Sequence, residues 1–211
     1  MMLDTAKHAP ARRTQAERRA QSDQSLLLAA AELIAEEGFQ AATFEKVGAR
    51  AGYSRGLASQ RFGSKEGLIE ALIDHLHERS DELAAGLHLE NLPGLDAILA
   101  SVDVYLRNFE AEQAVRSYFV AMAGSVATLS RSRTAFAASH QRAKERFQAL
   151  IEKGQKDGTV ALDLVAETSA LMVGSLLLGI STQCLIDPTT DLPSVREAAL
   201  TTLRRSLGAR K

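Results

Sequence analysis

Cysteine occurs once in this chain, at Cys184, so no internal disulfide can form and the fold must stand without covalent staples. The expected setting is a reducing cytoplasm. Tryptophan is absent and aromatic residues make up only 5% of the 211 residues, yet 45% are hydrophobic, which suits a helical bundle rich in alanine and leucine. Proline is equally sparse. Pro10 falls in a leading arm, Pro93 and Pro193 suit first turns of helices and Pro188 follows a helix end, so no expected helix interior is broken. Neither sign of charge dominates, and a formal net charge of -1 gives no global basic signature for nucleic acid.

Other absences narrow the chemistry. The opening MMLDTAKHAPARR has no apolar signal core. The most apolar run, 169–186, is interrupted by Ser175, Ser181, Thr182 and Gln183, is flanked by Glu167 and Asp187, and is short against the roughly 20 residues a bilayer needs. No membrane partner is expected, and the run reads as a buried bundle helix. Asp74, His75, His77, Glu78 and Asp81 lie close in sequence, but the two histidines are two apart and point to different faces, so the group reads as solvated surface and no metal is expected. No paired carboxylates and no Cys-His couple stand at a readable catalytic spacing, and no cofactor is implied.

What is present is concentrated between Thr43 and Lys65. Phe44, Val47, Gly48 and Ala51 fall at i, i+3, i+4 and i+7, giving one apolar stripe on a short helix that Thr43 can cap, while Glu45, Lys46 and Arg50 stay wet. Gly52 stands where that helix must stop, since glycine enters the left-handed conformation without a Cβ clash. Ser54 can cap a second short helix, from Arg55 to about Arg61, which offers Arg55, Ser59, Gln60 and Arg61, side chains of the kinds that meet base edges and phosphates. Phe62 anchors its end, and Ser64 can cap a third helix whose first residue, Lys65, lies at the positive end of the dipole, a place suited to phosphate. Two short helices packed to present one outward form a helix-turn-helix layout.

At these residues the chain resembles the TetR family of transcriptional regulators. The family pattern, A-G-x-S-x-G-x-L-Y-x-H-F followed by S-K-E-x-L, is matched by Ala51-Gly52-Tyr53-Ser54-Arg55-Gly56 and by Phe62-Gly63-Ser64-Lys65-Glu66-Gly67-Leu68. Ala58, Ser59 and Arg61 depart from it, standing where leucine, tyrosine and histidine are usual. The resemblance implies an all-α fold: an N-terminal three-helix bundle with the helix-turn-helix (1–66, arm included), then a larger helical ligand-binding and dimerisation domain (67–211). It also implies a homodimeric repressor on a palindromic operator of double-stranded DNA, released by a small-molecule effector. Thr43, Ser54, Arg55 and Leu57, with Ser59, Gln60, Arg61 and Lys65, are the DNA-contact candidates.

Charge distribution agrees with a local basic face. Up to Glu66 there are ten Lys and Arg against eight Asp and Glu, and fifteen against eighteen in the remainder. Lys7, Arg12, Arg13, Arg18 and Arg19 form a basic arm. Two competing readings stay open. Gly52-Tyr53-Ser54-Arg55-Gly56 is a literal G-x-S-x-G, the nucleophile elbow of α/β-hydrolases, which would make Ser54 the nucleophile of an esterase, although an elbow needs a buried strand just upstream and Phe44 to Ala51 has helical spacing. The departures at 58, 59 and 61 also admit a helical interaction module that no longer reads DNA.

Helical patterns continue along the chain. A first helix runs from about Thr14 or Asp23 to Glu37, with Leu26, Ala30, Leu33 and Ile34 inward. A linking helix extends from Ser64 toward Ala85 with Leu68, Leu72, Leu76 and Leu83 on one side. Further helices are expected over 93–110, 111–129, 132–155, 162–185 and 193–207. Of the last two, the first carries an apolar stripe, Ala166, Ala170, Val173, Leu177, Ile180 and Cys184, and a second face with small residues, Gly174, Leu178 and Ser181, one face for the core and the other for a partner. The final helix adds Val195, Ala199, Thr202 and Leu203 to the expected self-association surface. Six of the ten aromatic residues fall mid-chain. Tyr105, Phe109, Tyr118, Phe119, Phe136 and Phe147 can wall a cavity together with Met122 and Met172, and His140 shares a helical face with Phe136 and Phe147. Ligand-contact candidates are Tyr105, Phe109, Tyr118, Phe119, Met122, Phe136, His140 and Met172.

Overall fold

Thr14 starts the first helix with a reciprocal cap: its hydroxyl accepts from the Glu17 amide at 3.2 Å while its own amide donates to the Glu17 carboxylate at 2.7 Å. The structure, a computed structural model, describes residues 14–209, apart from the side chains at 80, 81, 83 and 84. Lys7, Pro10, Arg12 and Arg13 and the side chains of Asp81 and Leu83, all invoked from the sequence, lie outside the described residues. Helix α1 (Gln15–Glu37) ends at Gly38, and α2 (Phe44–Ala51), α3 (Arg55–Phe62) and α4 (Lys65–Ala85) follow. Then come α5 (Gly94–Ala111), α6 (Gln113–Ala127), α7 (Arg133–Asp157), α8 (Ala166–Ile186) and α9 (Leu192–Leu207). The fold is all-α. Among the described residues the only β pairing is one antiparallel bridge, Val160 with Gly208.

Two cores hold these helices. The first joins α1 to α4 through Leu26, Ile34, Val47, Leu68 and Ile69, each fully buried, and reaches into the second half through Ala121 and Phe136. The second gathers Ile98, Val102, Leu106, Ile151 and Val173 from α5, α7 and α8. Helix α4 starts in the first core and runs on beside α6 and α7, so it physically connects the two. Pro93 sits just ahead of α5 rather than in its first turn. That helix start is capped from afar, because the Gly94 amide donates to Asp157 at 2.7 Å and the Leu95 amide to the Thr159 hydroxyl at 3.1 Å.

Helix α8 differs from the sequence expectation in two ways. At 21 residues it is long and apolar enough to cross a membrane by length and composition alone, yet Ala170, Val173, Leu177 and Ser181 pack it into the bundle against α7 and α5. It is also far from enveloped: Leu171, Met172 and Ile186 are 57%, 65% and 72% exposed. Of its two candidate faces, the stripe through Ala170, Val173 and Leu177 serves the core, and the small-residue face also points inward beside it. Ser181 is fully buried, and Gly174 and Leu178 line a cavity, because the inward stripe at 170, 173, 177 and 181 carries these neighbours with it. The open strip lies one step round the helix, at Met172, Ser175, Gly179, Thr182 and Ile186. On α9, Ala199 and Leu203 are likewise buried and Val195 half-buried, while Thr202 is exposed.

Candidate nucleic-acid interface and the cavity behind it

The turn between α2 and α3 rests on local chemistry. Thr43 accepts from the Lys46 amide at 3.3 Å, Ser54 accepts from the Leu57 amide at 3.1 Å, and Gly52 takes a left-handed φ of +76°. Gly48 permits the close packing of the turn, since a methyl there would press at 3.0 Å on the backbone of Tyr53 and Ser54. A helix precedes Tyr53, so the strand an elbow requires is missing, and the Ser54 oxygen serves as a cap. Helix α3 is eight residues, about 12 Å long, enough to lie in one major groove.

The eight expected contact residues divide by exposure. Arg55, Gln60, Thr43 and Ser54 are exposed, and the two capping hydroxyls keep their hydrogens for a phosphate oxygen. Ser59 is half-buried, and Leu57, also half-buried, packs against the first core. Ala58, one of the departures from the family pattern, is fully buried, so it concerns packing rather than base contact.

Arg61 and Lys65 are held back. The Arg61 side chain is only 18% exposed, and its Nε lies 3.0 Å from Asp23 Oδ1 of α1, an ion pair without the alignment of a hydrogen bond. Lys65 lies over the Phe39 ring, 4.4 Å from its centroid, and donates to the Gln40 side-chain oxygen at 3.1 Å. Burial pulls the Lys65 pKa below the usual lysine value. The α2 cations are also engaged. Lys46 pairs with Glu37, and Arg50 bonds Glu36 at 3.0 Å and holds that carboxyl below the usual range. Arg55 is therefore the one cation of α2 and α3 without an ion-pair partner among the described residues.

Arg55→Ala is expected to reduce the slope of log affinity against log salt by about 1, with thermal stability unchanged. Arg61→Ala is expected to do the reverse, keeping the slope while lowering the melting temperature, because Asp23 loses its nearer cation and keeps only Arg19, at 3.8 Å. Anisotropy titrations at several salt concentrations and melting curves read both; an unchanged slope for Arg55→Ala removes it from the phosphate contacts.

Behind this unit α4 to α8 line a partly open cavity of about 360 Å³. Of the expected ligand contacts, Tyr105, Tyr118, Phe119 and His140 line it. Phe109 stands behind Phe119, edge-on at 5.5 Å, and Phe136 stands edge-on to Tyr118 at 5.1 Å in the first core. Met122 packs between the two cores, and Met172 faces outward on α8. Burial pushes the Tyr118 hydroxyl up to about 12 and Tyr105 higher still, so both remain neutral phenols, and burial lowers the pKa of His140.

Several wall residues were not anticipated. His77, read from sequence as solvated surface, turns inward and lies 2.6 Å from the Ser139 hydroxyl, which lies 2.7 Å from the Tyr118 hydroxyl. Its spacing held the signal, because His77 continues the Ile69 and Ile73 stripe at i+4. Arg79 makes two 2.8 Å bonds to Glu112, and Lys144 bonds Glu167 at 2.9 Å. These pairs raise the Arg79 pKa and lower that of Glu167.

A capped pair of short helices with one presented to solvent, joined by α4 to a cavity, is the layout of a helix-turn-helix DNA-binding regulator. Residues 26–72 match the family model described as bacterial regulatory proteins, tetR family. The match spans the helix-turn-helix unit and the start of α4, the part of the chain that carries the capped turn. No curated relative matches the sequence. Solved structures share the fold at low identity. NalD of Pseudomonas aeruginosa, the secondary repressor of the MexAB-OprM multidrug efflux pump, is 19% identical over 91% of this chain and 98% of its own, with a TM-score of 0.71. SmeT, the repressor of the Stenotrophomonas maltophilia multidrug efflux pump SmeDEF, is 20% identical over 89% and 92%, at 0.73; a SmeT complex with triclosan is similar at 0.76. The fatty acid degradation regulator FadR from Bacillus halodurans is 16% identical over 86% and 94%, at 0.76.

Proposed function

We propose that this protein is a cytoplasmic homodimeric repressor that reads a palindromic operator through α3 and leaves it when a small molecule occupies the cavity. The observation that carries this reading is the double role of α4: Leu68 and Ile69 near its start share a core with Val47 of α2 and Ala58 of α3, and Leu76, His77 and Arg79 further along wall the cavity. A ligand that prefers a shifted α4 therefore biases the placement of α3, and by linkage operator DNA weakens that ligand. The open side of α8 supports pairing, since Leu171, Met172 and Ile186 are exposed there around small residues, Ser175, Gly179 and Thr182, that let a partner helix approach closely. Gln60 and Arg55 read base edges or phosphates, Thr43, Ser54 and Ser59 add hydroxyl contacts, Leu57 and Arg61 hold α3 in place, and Lys65 meets phosphate after leaving Gln40.

Selection of bound duplexes from a random pool, followed by titration with triclosan, tests this. Enrichment of two inverted half-sites and weaker DNA binding with the ligand are expected. A pool that yields no preferred sequence favours the helical interaction module instead.

A further inference from the structure

The cavity wall is largely apolar, and one run of its polar groups joins three helices, while the other wall phenol, Tyr105, is paired with Ser181 at 3.3 Å. Tyr118 of α6, Ser139 of α7 and His77 of α4 form a continuous chain, with separations of 2.7 and 2.6 Å. Ser139 is 2% exposed, so water does not compete for it freely. The chain can run either way. If His77 donates to Ser139 and Ser139 to Tyr118, the Tyr118 hydrogen is free to donate into the cavity; if every bond reverses, Tyr118 offers a lone pair instead. A hydroxyl, being both donor and acceptor, satisfies either state.

Two of the cations on the wall are matched by carboxylates, and the third is also engaged. Arg79 is engaged by both oxygens of Glu112, Lys144 by Glu167, and Arg146 also makes an interaction of its own. An incoming carboxylate would have to displace one of these partners or lie unpaired beside apolar surface, which is costly. Rings and aliphatic side chains supply the rest of the surface. Phe119 and Tyr118 pack edge-on to each other at 5.2 Å, with Tyr105 edge-on to Phe119 at 6.3 Å, and His140 sits beside Tyr118.

We infer that the cavity takes an uncharged, mainly apolar molecule carrying one hydroxyl, and that Tyr118, at the end of the Tyr118-Ser139-His77 chain, receives that hydroxyl. This rests on the reading of the cavity as the effector site. The consequence is specific, because the same chain ends on α4, the helix shared with the reader. Ligand hydroxyl and linking helix meet through three side chains.

Three probes of similar shape separate the possibilities: 2-naphthol, 2-methylnaphthalene and 2-naphthoate, titrated calorimetrically into the full chain. The naphthol is expected to bind about 3- to 10-fold more tightly than the methyl compound, the worth of one hydrogen bond, and the naphthoate more weakly than both. Tyr118→Phe, which keeps the ring and its packing, is expected to bring naphthol down to the level of the methyl compound, and Ser139→Ala to reduce the same advantage. Gly174→Leu locates the binding, since a side chain there enters open cavity space and is expected to exclude all three. Tighter binding of naphthoate overturns the uncharged ligand class. Equal binding of naphthol and methylnaphthalene, or a naphthol advantage that survives Tyr118→Phe, overturns the hydroxyl subsite while leaving the cavity reading intact. Failure of every probe to bind, or binding untouched by Gly174→Leu, overturns the cavity reading and this inference with it.

Discussion

Gly179→Glu is expected to leave a folded monomer that no longer holds specific DNA tightly. Gly179 lies in the middle of the open strip of α8, and a Cβ built there meets nothing within 4 Å. Within one subunit the change is therefore free of clashes, and it removes a glycine from a helix interior, a gain of up to about 1 kcal/mol. In a dimer formed through α8 and α9 the same position is enclosed by the partner. Two-fold symmetry then brings a second carboxylate to the same interface, and both must be desolvated there. Once the subunits part, each half-site is gripped alone, so affinity is expected to fall at least about 100-fold. Sedimentation, circular dichroism and DNA titration on one preparation read all three quantities. A variant that remains dimeric with full affinity places the subunit contact elsewhere.

Gly94→Ala is expected to produce the largest loss of stability among single-methyl changes in the larger half. Helices α5 and α7 approach backbone to backbone there: a Cβ on Gly94 would stand 2.1 Å from the Gly154 amide nitrogen and 2.3 Å from its Cα. Main chain cannot swing aside as a side chain does. The helices must separate, and the bonds from the Gly94 and Leu95 amides to Asp157 and Thr159 stretch with them. A cost of roughly 3 kcal/mol follows from overpacking of this kind, which for a chain of this size lowers the melting temperature by about 6 to 12 °C. Gly179→Ala is the control, a methyl added to open space. Equal melting of Gly94→Ala and wild type would mean that α5 and α7 do not cross so closely.

Much of the DNA-reading unit was legible in the sequence because its determinants are local. Thr43, Ser54 and Gly52 act within three or four residues of themselves, and their caps and turn are seen as expected. The helix limits elsewhere agree to within a few residues for the same reason. What was not legible depends on partners distant in sequence. Arg61 reads as a contact residue until α1 brings Asp23 to it, and His77 reads as surface until α7 brings Ser139. Helix α8 is apolar nearly all round, so its pattern alone could not say which strip faces the core, which the cavity and which the solvent. The Gly94 and Gly154 crossing left no periodic trace, since a glycine pair in helical text resembles a weakness rather than a contact.

The account depends on two copies of α3 held at a fixed separation, and the most direct measurement changes the DNA rather than the protein. With the selected operator in hand, five base pairs, about half a helical turn, are inserted between its half-sites. Rotation of one half-site to the far side of the duplex is expected to reduce affinity to near that of random DNA, with full binding restored by an insertion of ten. Affinity unchanged by the five-base-pair insertion would contradict a rigid pair of reader helices.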